Sequence, residues 1–526
     1  MAVKKSEVII VGSGLNSLVC ALLLAKRGIK PLVLERNAHF GGCIHTTELF
    51  PGYHHELMAS WYPLFLGGAA YQRLQPDLAS VGVEFLNNGY TTGVVLPSGQ
   101  SLALKQDVPD AMQRLEQFAP GDGAVLGEMA TEIFEKNAEL LFGLLGGSPY
   151  QWSTIKLLYQ QWRKRGLDDL LAFTAGALTS FRSWSQQTLH CPQTQALMAP
   201  WVLHSGLGPQ DAGSALIGKL TFAAVVAGGM PVVKGGGQKL VDGFVQLIRQ
   251  QGGELLTDVN VDQVLLENGR AIGVQSGNDQ YLASKAVVCN VTPTQLYGGL
   301  LKDVSPPVQQ AANTYRYGRG AMQIHIALKE KPQWANAEML QVPLLHLATD
   351  LDQVSMSVME AECGLIPRVS TVAVGQPVAV DASRAPDGGW ILWLQIQDMP
   401  RELKGDAAQR IEVTQAGWTD AIKEQVADRI ISQLLPHIPN LEQAIIGRHV
   451  LSPQDLYALN VNLVDGDIYS GACSLDQFFW FRPFAKKGLT KGHQTTVKNV
   501  FQIGASTHPG PGLGGGSGVL VADLIK

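Results

Sequence analysis

No two of the six cysteines (Cys20, Cys43, Cys191, Cys289, Cys363 and Cys473) stand in a C-x-x-C pair. That absence excludes a relay of closely spaced thiols and suits reduced cysteines in a cytoplasmic protein. The chain also has no H-x-x-x-H and no G-x-S-x-G pattern, so metal-hydrolase and nucleophilic-serine readings have no anchor. His54 and His55 are adjacent, and on a strand they would face opposite ways and share no metal. Only 16% of residues are charged and the formal net charge is −5, which gives no reason to expect a nucleic-acid partner. Lys4-Lys5 is followed by a four-residue apolar run, too short for a signal peptide. The most apolar window, Ser214 to Val233, is interrupted by Lys219 and by Gly228-Gly229-Met230-Pro231. A membrane span is not expected there.

The chain does have length, glycine and one ordered stretch. Its 526 residues exceed what a single hydrophobic core holds, so two domains are expected. The 57 glycines cluster in turns rather than in a low-complexity tract. Val8-Ile9-Ile10-Val11 reads as a buried parallel strand. Gly12 and Gly14 form a tight turn after it, and Leu15 and Asn16 open a helix that runs to Lys26. Gly28 follows as a C-terminal cap, and the strand Lys30 to Leu34 delivers Glu35. Such a turn brings the backbone close to a pyrophosphate, with the free N–H groups of a helix N-terminus aimed at the anion. Glu35, about 20 residues on, is placed to accept from ribose hydroxyls and would repel a 2′-phosphate. Ser17 stands where Gly or Ala is usual, so helix and strand are expected to pack slightly further apart.

Further along, Ala124 to Leu145 and Thr154 to Leu171 carry apolar residues at helical spacing, with breaks at Gly146-Gly147 and Gly166. The stretch from Val94 to about Thr221 therefore reads as helical. Trp162-Arg163-Lys164-Arg165 is an ordinary solvated helix face or, alternatively, a peripheral membrane contact. A helix is expected over Gln238 to Gln250, then a strand at Gly253 to Thr257. A hairpin turning at Asn268-Gly269 follows, and then a buried strand from Ala286. A long helix is expected near Gln409 to Leu435, and a capped helix start at Ser452-Pro453. Val500 to Ile503 reads as a strand, and Gly512 to Gly518 opens a last helix from Val519. No ribose acid follows this second glycine-rich turn, so it completes the first fold.

The segments "VIIVGSGLNSLVCALLLAKRGIKPLVLERNAHFGGCIHTTELFPGYHH", "GGELLTDVNVDQVL" with "AVVCNVTP", and "NVFQIGASTHPGPGLGGGSGVLVA" together resemble the phytoene-desaturase-like FAD-dependent oxidoreductases. The resemblance implies an α/β fold: a Rossmann-type, glutathione-reductase-like FAD-binding domain with an inserted mixed α/β substrate domain. It implies an FAD domain over 1–90, 225–300 and 465–526, and a substrate domain over 91–224 and 301–464. By the same resemblance Gly12, Gly14, Leu15, Asn16, Glu35, Arg36, Gly41, Gly42 and Cys43 surround the nucleotide, and the Val261 backbone reads the adenine. Gly504, Ala505, Gly512, Gly514 and Gly518 approach the rest of the cofactor. His508 lies near the ring as a proton carrier or a structural donor. Cys43 is a covalent flavin anchor or simply a small residue in a tight loop.

The implied activity is hydride transfer from a small to medium hydrophobic substrate, with reoxidation by oxygen, a quinone or another acceptor. The absence of a second nucleotide fingerprint speaks against a separate NAD(P)H site. A redox-neutral isomerase and a non-catalytic flavin-binding protein remain as alternatives.

Overall fold

The computed structural model describes residues 3–302, 304–414, 417–485, 489 and 492–526. The chain visits one sheet three times and leaves it twice. It begins with β1 (Val3–Val11), α1 (Leu15–Lys26) and β2 (Pro31–Leu34). The first excursion carries β3 (Tyr90–Val95) and β4 (Ser101–Lys105). Helices follow, among them α2 (Ala138–Gly146), α3 (Trp152–Arg165), α4 (Leu167–Leu178), α5 (Pro192–Leu203) and α6 (Ser214–Gly228). The chain returns through α7 (Gln238–Gln250), β5 (Glu254–Leu256), β6 (Gln263–Glu267), β7 (Arg270–Ser276) and β8 (Asp279–Cys289). It leaves again for β9 (Gly320–Leu328), β10 (Leu344–Leu347), β11 (Val372–Gly375), β12 (Trp390–Met399), α8 (Asp420–Leu434), β13 (Ile445–Leu451) and α9 (Pro453–Leu459). It ends with β14 (Val500–Gln502) and α10 (Gly516–Leu524).

The first sheet has the order β6-β7-β8-β1-β2-β5, with β14 beside the end of β8. The strands β14, β8, β1, β2 and β5 are mutually parallel. Both faces are covered, which is why β1 reads as an unbroken β-branched run. Val8 and Ile10 pack with α1, α7 and α10 on one side. Ile9 and Val11 pack on the other side with residues of β6 and β7 and with Tyr297.

The second sheet has the order β13-β9-β12-β11-β10-β3-β4. One face lies under α8 through Ile422, Val426, Ile430 and Leu434. The opposite face lies under α5 and α6. Paired residues on neighbouring strands share a face, so the register aligns His346, Ala373, Gln395 and Gln323 in a single row. His325 and Trp393 pair two positions along on the same face.

Three readings of the sequence are corrected. The stretch after Val94 is not wholly helical, because β3 and β4 form a hairpin of the second sheet. The helix expected over Gln409 to Leu435 starts only at Asp420. Asp406 captures the N–H groups of Ala408, Arg410 and Ile411, and Gln409 has a positive φ of 56°, so 406–411 is a turn; residues 415 and 416 of the expected helix lie outside the described residues. The last helix begins at Gly516, three residues before Val519.

Candidate functional site

Gly12 turns the chain off β1 at φ +85°, and Gly41, in the loop after β2, has φ +120°. A Cβ at Gly41 would sit 2.4 Å from the Ile44 carbonyl, so this loop closes tightly on itself. Gly14 and Gly41 form a bridge, and a Cβ at Gly42 would lie 3.0 Å from the Gly14 Cα. Gly14 is the N-cap of α1, with no side-chain cap and no acid in the first turn. The Leu15 and Asn16 N–H groups are thus left for an anion.

Glu35 is buried at the end of β2. Its Oε2 accepts from Ser13 N at 2.9 Å and Ser13 Oγ at 2.6 Å, and its Oε1 accepts from Asn37 N at 3.0 Å. Ser13 Oγ also accepts from Gly41 N at 3.1 Å, so one hydroxyl locks acid, turn and second loop together. Arg36 beside it is exposed. Val261 is buried in the irregular run before β6. Among the described residues its N–H and C=O have no hydrogen-bond partner, which leaves both for an adenine edge.

Asn290, which the sequence reading did not single out, joins the three segments of this site. Its Nδ2 donates to Ser17 Oγ at 2.9 Å, so the hydroxyl that departs from the usual small residue is satisfied. Its Oδ1 would be 2.2 Å from a Cβ at Gly504, and its Nδ2 3.2 Å from one at Gly14. A polar residue directly after a buried parallel strand was the available signal. At the other end Gly504 N donates to Ser517 Oγ at 2.9 Å. Helix α10 also lacks a side-chain cap. Gly518 N donates to Asn16 Oδ1 at 3.3 Å, so Asn16 ties the two uncapped helix N-termini together. Gly512 is exposed and Gly514 half-buried.

Arg482, a residue that nothing in the local sequence pattern marks out, is fully buried. Its Nε donates to Ala505 O at 2.7 Å, and Nη2 donates to Tyr469 O at 2.7 Å and Gly471 O at 3.3 Å. Nη1 reaches Ala472 O at 3.2 Å. The guanidinium thus braces the loop 469–473 against the 504–510 turn. Replacing it with leucine strands several buried carbonyls at about 1–3 kcal/mol each. We expect Arg482→Leu to lower the urea midpoint strongly, while Arg482→Lys recovers part of the loss.

His508 is 1% exposed, and neither ring nitrogen has a partner at hydrogen-bonding distance. Burial holds its pKa down to about 4, against the opposing carbonyls at the end of α2. Cys43 Sγ accepts from Asn460 Nδ2 at 3.4 Å, and burial pushes its thiol up to about 11. A thiol held neutral is a poor nucleophile. Cys43→Ala should therefore leave the bound cofactor unchanged, released in full by acid precipitation in both proteins.

The strap from Glu56 to Gly68 connects this region to the second sheet. Trp393 Nε1 donates to Glu56 O at 3.1 Å and Gln323 Nε2 to Met58 O at 3.3 Å. At the far end a Cβ on Gly512 would meet Leu64 at 2.6 Å, and one on Gly68 would lie 3.3 Å from Gly514 O.

The sheet face beneath the strap is polar. Gln397 Nε2 lies 3.1 Å from His204 Nδ1, and His204 Nε2 lies 2.9 Å from His346 Nε2. With Gln397 as donor, His204 carries its proton on Nε2 and His346 carries its own on Nδ1. That Nδ1 is buried without a partner, as are Gln323 Oε1 and Trp61 Nε1. Burial holds His204 down to about 4 and His346 well below its usual value, so both rings are neutral at physiological pH.

Residues 10–76 match the family described as NAD(P)-binding Rossmann-like domain. The chain is 23% identical to one polypeptide of the limonene dehydrogenase of Castellaniella defragrans, over 99% of this chain and 95% of that protein. It is 24% identical to rat pyridine nucleotide-disulfide oxidoreductase domain-containing protein 2, over 99% and 93% respectively. It is 26% identical to a lycopene-forming phytoene desaturase of a Paracoccus species, over 57% and 56%. A crystal structure of an oxidoreductase from Methanosarcina mazei shares the fold with a TM-score of 0.60 at 14% identity, covering 98% of this chain and 100% of that one. The glycine turn with its buried acid, and relatives that match along nearly the whole chain, place the protein with Rossmann-type oxidoreductases, its homologues including phytoene desaturases, a limonene dehydrogenase and pyridine nucleotide-disulfide oxidoreductase domain-containing protein 2.

Proposed function

We propose that the protein binds FAD and oxidises or desaturates a small to medium substrate that is mostly apolar and carries one polar substituent. The observation that supports this most strongly is the pair of uncapped helix N-termini, α1 and α10, tied together at Asn16 and Gly518. Bound FAD supplies a hydride acceptor at N5, with its electrons passing on to oxygen, a quinone or another carrier.

The chain's own residues do the rest. The Leu15 and Asn16 N–H groups hold the pyrophosphate. Glu35, fixed by Ser13, accepts from ribose hydroxyls. The N-terminus of α10 offers donors and a positive dipole end to negative charge. The sheet face around Trp393 and Trp61 excludes water. The unmet donors on His346 and Trp61 and the unmet acceptor on Gln323 orient the polar substituent. His508, neutral down to about pH 4, shapes the turn without delivering a proton at neutral pH.

The test is anaerobic mixing of the yellow protein with a panel of apolar alcohols, amines and polyenes. Loss of the visible absorbance in proportion to added substrate is the expected result. An isomerised product with no net bleaching, or no response to any class, overturns it.

A further inference from the structure

We propose that α3 and α4 form a docking face for an anionic lipid surface. Of seventeen large hydrophobic side chains exposed among the described residues, eleven lie between Phe134 and Leu178. On α3 they form a stripe at the helical spacing i, i+3, i+7, i+10: Trp152 is 76% exposed, Ile155 55%, Tyr159 57% and Trp162 45%. On α4, Leu167, Leu171 and Leu178 are each more than half exposed, and no residue of that helix is buried. A surface helix of a globular protein normally turns such a stripe inward. Here the inward side of α3 holds Thr154 and Gln161, with Leu157 seated against Gly143 of α2. A contiguous apolar face of this kind marks an interaction site.

Charge selects the occupant. α3 carries Lys156, Arg163, Lys164 and Arg165 and no acid, in a chain whose formal net charge is −5. Lys156 and Arg163 have no ion-pair partner among the described residues. An amphipathic helix with basic residues beside an apolar stripe rich in Trp and Tyr suits the boundary between lipid headgroups and acyl chains. Lys164 and Arg165 pair with Glu139 and Asp169, whereas a two-fold contact with a second copy would bury Lys156 and Arg163 of both copies in one interface with no acid of α3 to pair them. No helix among the described residues is long and apolar enough to cross a membrane, so the contact is a surface one.

The test is flotation of the cofactor-loaded protein with vesicles of phosphatidylcholine alone and of phosphatidylcholine mixed with phosphatidylglycerol, at low and high salt. Binding to the mixed vesicles should be at least about tenfold tighter and weaken with salt. Tryptophan emission should shift to the blue on binding. Trp152→Glu with Leu171→Glu should abolish binding to both vesicles. Lys156→Glu with Arg163→Glu should remove only the preference for the anionic lipid. Cofactor content and thermal midpoint are measured on each variant to show that the fold is kept. Lipid binding is read without turnover, so it stands or falls separately from the proposed chemistry. Absence of vesicle binding overturns the proposal, as does a dimer in lipid-free solution that the first variant dissociates.

Discussion

Gly518→Ala should cost the protein most of its cofactor. A Cβ there would lie 2.2 Å from the Asn16 carbonyl oxygen and 3.0 Å from its carbon. Both are backbone atoms of α1, so no side-chain rotation relieves the contact. Helix α10 must move off α1, and the two helix N-termini separate. Overpacking of this kind costs about 1–3 kcal/mol, a loss of roughly tenfold or more in cofactor affinity if it falls on the bound state. Gly176→Ala on α4 is the control: a Cβ there meets nothing within 4 Å. It should keep the cofactor and gain up to about 1 kcal/mol from helix propensity. Equilibrium dialysis of FAD against each variant measures the difference, and equal retention by both would contradict the close approach of the two helices.

The second large effect is acid lability. Burial depresses several histidines of this protein: His55 to about 3, and His493 and His508 to about 4. His325 and His346 lie well below 6.5. Such rings fold neutral and take up protons when the chain unfolds. The unfolded state therefore binds more protons below pH 6.5, and stability falls as pH falls toward 4. Each fully depressed ring contributes about 1.4 kcal/mol per pH unit in that window. Protonation also cannot be relieved locally, because both ring nitrogens of His55 and of His325 lack partners and the two rings stand 5.6 Å apart. Urea midpoints measured from pH 7.5 to 5 should fall steeply below 6.5, with a slope of several protons. His55→Phe with His325→Phe should flatten that slope. A midpoint that stays level down to pH 5 contradicts the buried neutral rings.

Local chemistry made much of the nucleotide half legible. α1 runs from Leu15 to Lys26 and α7 from Gln238 to Gln250, as the apolar spacing and the flanking glycines predict. Asn268 and Gly269 both take positive φ in the hairpin between β6 and β7, as the two-residue turn requires. The capping box at Ser452 and Asp455 opens α9 where read. These features are fixed by neighbours in the chain. The misread helix before Asp420 shows the limit. Ile411 and Trp418 fit a helical period, but Asp406 binds the backbone there and pairs with Arg429 of α8 at 2.6 Å. Trp418 Nε1 donates to Pro400 O instead.

The site divides in the same way. Gly12, Gly14, the start of α1 and the acid at Glu35 lie within one β-α-β unit and can be read from its order. Asn290 joins segments far apart in sequence, and Ser13 and Arg482 lock neighbouring loops through side-chain hydrogen bonds, none of which periodicity registers. The polar row of His346, Gln395 and Gln323 exists only through strand register between β9, β10, β11 and β12. Along any one of these strands a single Gln or His among apolar residues looks incidental.

The central claim is that the β1–α1 turn and the glycine-rich start of α10 hold one flavin nucleotide between them. Its most direct measurement is the cofactor released when the purified protein is denatured, identified and counted against chain concentration. The account predicts FAD in a one-to-one ratio, freed without covalent residue, and little of it from Gly518→Ala. A folded protein that is colourless and takes up no added FAD would contradict it.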